Sequence, residues 1–198
     1  MPFQFFDPGI LIDGDLQLVT PHERWIDDMI AASAHPLTVR DAPAEANLTR
    51  EKLMEFIARA PGGKQPSVPA KAFVPAYHFW MRIIDAYPAV RMAGGIGLRI
   101  GATPEIELYS GNIGYHVYPP ARGQHYAERA CRLLLPLAKR HGMEMLWITC
   151  NPDNIASRRT CERLGAKLVD IIPIPLEHPF RKRGETAKCR YLIDLDQG

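Results

Sequence analysis

No run of this chain approaches the roughly 18 consecutive apolar residues that a membrane-spanning helix needs. Residues 1–14 have no basic segment, and Asp7 and Pro8 interrupt their apolar stretch, so they do not read as a secretory signal. Cysteine is sparse: Cys131, Cys150, Cys161 and Cys189 form no C-x-x-C pair and have no histidine at ligand spacing. That excludes a zinc site and leaves reduced thiols in a cytoplasmic protein as the expectation. Neither sign of charge dominates, with 24 Lys and Arg against 22 Asp and Glu. A net charge of +2 is too mild for a nucleic-acid binder, which concentrates its cations on one face. The densest basic run, Arg181-Lys182-Arg183, is either a solvated turn or a contact to a phosphate or acidic acceptor. Internal repeats and linkers are missing too, so residues 1–198 read as one domain, with 1–15 as an N-terminal extension.

What is present is an alternation of strand and helix patterns. Leu16 to Val19 reads as a short strand, and Thr20-Pro21-His22-Glu23 as a capping box opening a helix. Residues 36–48, rich in Pro and Ala, read as irregular. Thr49 caps a second helix whose Leu53, Phe56, Ile57 and Ala60 share one side, and residues 62–69 read as loop. Ala76 to Ile83 alternates like a strand, and Asp85 to Pro88 turns the chain into an antiparallel partner from Val90 to Ile100. In that partner Gly94, Gly95 and Gly97 predict a bulge or a close backbone approach. Ile106 to Leu108 reads as a strand extension and Asn112 to Val117 as a further strand. Then come a helix over 124–140 burying Ala127, Cys131, Leu134 and Leu135, an apolar strand over 146–150, and a helix over 154–164. Strands over 167–172 and 189–195 finish the chain. This order predicts an α/β fold with a mixed, mostly antiparallel sheet of about six to seven strands and helices on both faces.

Chemistry concentrates between Gly111 and Ala166. The strand ending at Val117 runs through Arg122-Gly123-Gln124-His125-Tyr126-Ala127 into a helix, and such a turn aims unpaired amides at one spot. That is a cradle for a phosphate or pyrophosphate. Farther on, Asn154-Ile155-Ala156-Ser157 opens a helix that closes on Leu164-Gly165-Ala166. Together these stretches resemble the GCN5-related N-acetyltransferases, which carry a pyrophosphate motif Gln/Arg-x-x-Gly-x-Gly/Ala and a later Asn-x-x-Ser. The chain departs at His125, which stands at the motif's first glycine, and the ring either blocks the phosphate, turns outward or donates to it. Asn112-Ile113-Gly114-Tyr115 and the closing Arg190-Tyr191-Leu192-Ile193-Asp194-Leu195 are similar to a subgroup of predicted acetyltransferases.

The resemblance implies a fold in which a parallel pair of strands splays apart, with acetyl-CoA as co-substrate and no metal. It places pyrophosphate on Arg122, Gly123, Gln124, His125, Tyr126 and Ala127, pantetheine along His116, Val117 and Tyr118, and further contacts at Asn154 and Ser157. An amide near Tyr115 to Val117 would stabilise the oxyanion. Acyl transfer to an amine needs a neutral nucleophile, a base for its proton and a donor for the leaving thiolate. Cys161 occupies the place of the family's tyrosine donor, seven residues after Asn154, and is otherwise a packed core residue. Gly111 and Asn112 stand where relatives carry a glutamate base, which leaves Glu107, His116 and Tyr115 as local candidates beside a water chain. The expected activity is acetyl transfer to a primary amine of a small molecule or peptide, and the alternative is a silent acyl-CoA-binding or regulatory module. Phe73, Tyr77, Trp80 and Phe180 are candidates for the acceptor pocket, neither nucleic acid nor membrane is an expected partner, and a homodimer is the family's expectation.

Overall fold

In the computed structural model, residues 3–67, 74–85 and 88–196 are described. β1 (Leu11–Asp13) and β2 (Leu16–Val19) form an antiparallel hairpin, so part of the N-terminal extension joins the sheet as an edge strand. A 3-10 turn (Glu23–Trp25) then leads into α1 (Ile26–Ala34). The capping box at Thr20 does not form. The cap is His22, whose Nδ1 accepts from the Arg24 amide at 3.2 Å, while Thr20 and Pro21 lie in the connection before the turn. Residues 36–48 are not wholly irregular either: Pro36–Asp41 is α2. Pro36 sits in its first turn, where a missing N–H costs nothing, and His35 caps it by accepting from the Leu37 amide. Thr49 caps α3 (Arg50–Arg59) as expected.

Inside the stretch read as loop, β3 (Lys64–Gln65) pairs with β4 (Ala76–Ile83), which pairs in turn with β5 (Met92–Arg99). The turn expected over 85–88 and the side chain of Phe73 fall wholly or partly outside the described residues. The expected bulge is present: Met81 faces Gly94 but Arg82 faces Met92, so Ala93 is the extra residue. The extension expected at Ile106 to Leu108 is instead a π-helical turn, Ile106–Ser110, closed by the Gly111 amide on the Ile106 carbonyl at 2.8 Å. Thr103 starts it by accepting from the Ile106 amide, which outweighs the β propensity of one isoleucine. β6 (Ile113–Val117) completes the first sheet, whose order is β1-β2-β4-β5-β6 with β3 beside β4.

The second half supplies α4 (Tyr126–Arg140), β7 (Met145–Cys150), α5 (Ile155–Arg163), β8 (Lys167–Pro173) and β9 (Ala187–Asp194). Its strands form a second antiparallel sheet ordered β7-β9-β8. The inward face of α4 is Ala130, Cys131, Leu134, Leu137 and Ala138, rotated slightly from the expected one, with Ala127 and Leu135 half-buried. Side-chain alternation gives the first sheet two different faces. Tyr77 turns toward the α4 side, sharing a hydrogen bond with His141 at 2.8 Å, whereas His78 meets Phe56 of α3 edge to face.

The two sheets meet at one residue. The Asn112 amide donates to the Trp147 carbonyl at 2.6 Å, and the Trp147 amide returns a bond to Asn112 Oδ1 at 2.9 Å. Asn112 Nδ2 also holds the carbonyls of Arg99 and Gly101 at 3.2 and 2.9 Å. Gly111 lets the strands come this close, since a Cβ there would stand 3.0 Å from the Trp147 carbonyl oxygen. Beyond this seam β6 and β7 part.

Candidate active site

The parting leaves half of β6 without a partner. The Arg99 amide donates to the Asn112 carbonyl and the Tyr118 amide to the Ala93 carbonyl, each at 2.8 Å. The Asn112 carbonyl and the backbone groups of Gly114, His116 and Tyr118 therefore turn toward β5, and those of Ile113, Tyr115 and Val117 turn toward the opening. The cleft between the strands has a volume of about 190 Å³ and is walled by Ile113, Gly114 and Tyr115 on one side and Ile148, Thr149 and Cys150 on the other. Asn154 and Ser157 of α5 border it. Asn154 caps that helix, its Oδ1 accepting from the Ser157 amide at 3.0 Å, and the Ser157 hydroxyl shares a hydrogen bond with the Tyr115 hydroxyl at 2.9 Å. Burial raises the Tyr115 phenol well above its ordinary value, so it keeps its proton.

At the far end of β6 the chain turns into α4. Among the described residues, the amides of residues 123–128 donate to no protein acceptor. His125 takes the left-handed conformation, φ 56° and ψ 21°, which the motif's glycine adopts without strain. Its ring is half-exposed and leans toward Glu128, Nδ1 to Oε2 3.7 Å. Arg122 reaches back and donates Nε–H to the Val117 carbonyl at 3.1 Å. Gly123 and Gln124 are exposed, Ala127 is half-buried, and Tyr126 is buried, with its hydroxyl on Asp15 at 2.5 Å. These features fit a diphosphate on the amides and an amide-bearing arm along the open edge of β6.

A second and larger cavity, about 500 Å³, lies on the other face of the same strands. Its floor exists because glycines stand in register where side chains would fill it: His78, Gly97 and Gly114 align across three strands, as do Trp80, Gly95 and His116. Met29, Leu53, Phe56 and Trp80 give it apolar walls. Gly114 and Tyr115 line both cavities, so the two are separated by a single strand. His116 projects into the larger one, and its Nε2 is buried without a hydrogen-bond partner, as is the Tyr118 hydroxyl. Burial pushes the His116 imidazole below its ordinary value, against the pull of nearby Glu45, and keeps it neutral.

Of the other expected site residues, Cys161 is fully buried, and its thiol is raised by a hydrogen bond to Cys150 and by burial. Cys150, the partner, is lowered by that bond and reaches the smaller cleft. Glu107 borders neither cavity; it lies in the π-helical turn, where its carbonyl accepts from Arg190. Tyr77 is buried against Phe5 and His141, and Phe180 packs under Lys188, so of the aromatic candidates Trp80 alone lines the larger cavity among the described residues. Sequence reading missed Asn112 as a clamp and Glu45 and Arg99 as cavity residues, because strand register brings Asn112 and Arg99 to the site and the packing of the segment between α2 and α3 brings Glu45.

The sequence model of the acetyltransferase (GNAT) domain matches residues 16–167. No curated protein matches the chain significantly. Among solved structures it is similar to a GNAT-family acetyltransferase from Bacillus anthracis, at 17% identity and a TM-score of 0.63, covering 94% of this chain and 99% of that one. It is also similar to RimL, a ribosomal L7/L12 alpha-N-protein acetyltransferase in complex with coenzyme A, at 16% identity and TM-score 0.66, covering 96% and 99%. The microcin C7 self-immunity acetyltransferase MccE, in complex with acetyl-CoA and AMP, gives 15% identity and TM-score 0.66 over 96% and 98%. At such identities the likeness carries the fold, and the domain match over most of the chain carries the family. An open strand edge, an unpaired amide cradle and a matching domain have one reading: the chain belongs to the GNAT acetyltransferases, the family that uses acetyl-CoA as acyl donor.

Proposed function

We propose that this acetyltransferase moves the acetyl group directly from acetyl-CoA to a primary amine, with both substrates bound at once. The observation that carries the proposal is the single-strand wall: Gly114 and Tyr115 border the cleft suited to the donor and the cavity suited to the acceptor. The diphosphate rests on the amides of residues 123–128, beside Arg122 and the N-terminus of α4. The pantetheine arm pairs with the outward backbone groups of Ile113, Tyr115 and Val117, displacing Arg122 from the Val117 carbonyl. Asn154 and Ser157 border its path.

The Tyr115 amide faces the opening and stabilises the oxyanion of the tetrahedral intermediate. His116, neutral and with Nε2 unpaired, takes the proton of the attacking amine. The Tyr115 hydroxyl, held by Ser157 beside the cleft and kept protonated by burial, donates a hydrogen bond to the departing thiolate, which takes its proton from solvent, a role that buried Cys161 is worse placed to fill. Four buried, unbridged thiols support a reducing, cytoplasmic setting. Nothing observed favours a silent module.

Millimolar CoA is expected to raise the melting temperature, and acetyl-CoA with a panel of amines to release free CoA. His116→Gln and Tyr115→Phe are expected to lower kcat by about 10²-fold each while leaving the CoA-induced shift in place. No shift with CoA and no release with any amine would refute the assignment.

A further inference from the structure

Arg99 is a guanidinium short of a counter-charge. It is half-buried at the end of β5 and lines the larger cavity. One terminal nitrogen donates to the carbonyls of Ser110 and Gly111 at 3.2 and 3.0 Å; among the described residues its other donors have no acceptor. The carboxylate whose charge acts on it is committed elsewhere: Glu105 accepts from the Ser110 hydroxyl at 2.5 Å and meets His178 Nε2 at 3.0 Å. Burial lowers the Arg99 pKa despite the charge of Glu105, so the cation is under-compensated where it sits.

Its position matters as much as its charge. A Cβ on Gly114 would lie 3.4 and 3.8 Å from the two terminal nitrogens of Arg99, so the guanidinium covers the residue that separates donor cleft from acceptor cavity. Arg59 on the cavity rim adds a second positive charge; both arginines push down the pKa of His78 between them, although burial contributes most to that shift. At the opposite end stands Glu45, close enough to His116 and Tyr118 to act on both, with no ion pair among the described residues. Lys52 and Glu55 of α3 line it as a pair of opposite sign, so the cavity is positive beside Gly114, negative by His116 and apolar along its walls.

We infer that the acceptor is an amine that also carries an anionic group, carboxylate or phosphate, which Arg99 binds beside Gly114 while the amino group faces His116. The inference rests on the acetyl-transfer reading of the same cavity, and it narrows the substrate class to small amphoteric amines rather than peptide N-termini. A planar guanidinium matches either oxyanion through paired N–H donors. An amide or methyl ester of the same amine leaves that cation buried and unpaired, which is where the discrimination comes from.

The test compares matched pairs: apolar α-amino acids against their amides, phosphoethanolamine against ethanolamine, and a dipeptide amide with a free N-terminus. With acetyl-CoA present, the anionic member of a pair is expected to show a kcat/KM higher by at least about tenfold. The carboxylate and phosphate arms identify which anion the cavity takes. In Arg99→Met the acid-to-amide ratio is expected to fall to about one, and Arg99→Lys to retain part of it. The ratio is measured within each variant, and the CoA-induced melting shift reports that each variant folds. Equal or better use of amides and the dipeptide, or a preference that survives Arg99→Met, overturns the inference. Binding of the same pairs by calorimetry separates the two readings. Discrimination between acid and amide without turnover would count against acetyl transfer alone, and turnover without discrimination against the role of Arg99 alone.

Discussion

His125 shows how one residue can break a motif in letters and keep it in geometry. The motif's glycine is there for a left-handed backbone, and His125 supplies that backbone at φ 56°. Histidine is among the side chains that tolerate the region, at a cost of about 1 kcal/mol. Replacing His125 by Gly is therefore expected to raise stability by up to about 1 kcal/mol in urea titrations, with CoA affinity kept or improved because the left-handed backbone that shapes the turn is retained. A loss of CoA affinity in that variant would show that the imidazole contributes a contact. At this scale the sequence was informative about local geometry: Arg122 and Ala127 stand in the turn into α4, and Asn154 and Ser157 form the cap of α5. It was uninformative for Arg99 and Glu45. Neither belongs to a local pattern: Arg99 matters through the strand beside it, and Glu45 through the packing of the turn between α2 and α3 over the cavity.

The glycines of β5 mark the next level, where a strand's composition sets a cavity. Gly95 and Gly97 read in the sequence as weaknesses, and Gly94 does mark a bulge, but their larger effect is to lower the floor beneath α1 and α3. A Cβ on Gly97 would come 3.2 Å from His78 Nδ1, so Gly97→Val is expected to fill that end and weaken acceptor binding, read as a higher KM with the CoA melting shift retained. The same crowding gives a pH signature. Burial, helped by Arg99 and Arg59, pushes His78 down from 6.5 to about 4, so between those values the unfolded chain binds more protons than the folded one. The stability from a neutral His78 is fully present above pH 6.5 and is lost as pH falls toward 4. Between pH 7 and pH 5 the wild type is expected to lose about 2 kcal/mol more than His78→Gln, by urea unfolding at each pH. Elements with strong periodicity or a good cap were legible, as β4 and α3 show. α2 and the π-helical turn were not, since a histidine cap and a closing i+5 bond to Gly111 leave no pattern in the letters.

For the molecule as a whole, Asn112 decides whether two sheets behave as one. It is 2% exposed, and its side chain satisfies the Arg99 carbonyl of the first sheet, the Gly101 carbonyl just past it and one amide of the second sheet. Asn112→Ala leaves those groups buried and unpaired, and is expected to cost about 3 kcal/mol in urea unfolding and to weaken CoA binding as the angle between the sheets relaxes. Unchanged stability would mean that water replaces the side chain. The splay itself was accessible only through resemblance, because it is the absence of a ladder between two ordinary strands, and no residue pattern encodes an absence.

Unsatisfied strand edges invite other polypeptides to dock and grow into fibrils. Here the vulnerable edge is recessed inside a narrow V, its two rims formed by the molecule's own halves, and a side chain bolts it at Val117. A slender, unbranched, amide-bearing thread can slip in; a neighbouring protein's strand, bristling on both sides, is turned away. The notch that invites a ligand is thereby also a safeguard against strand-to-strand pairing at this edge.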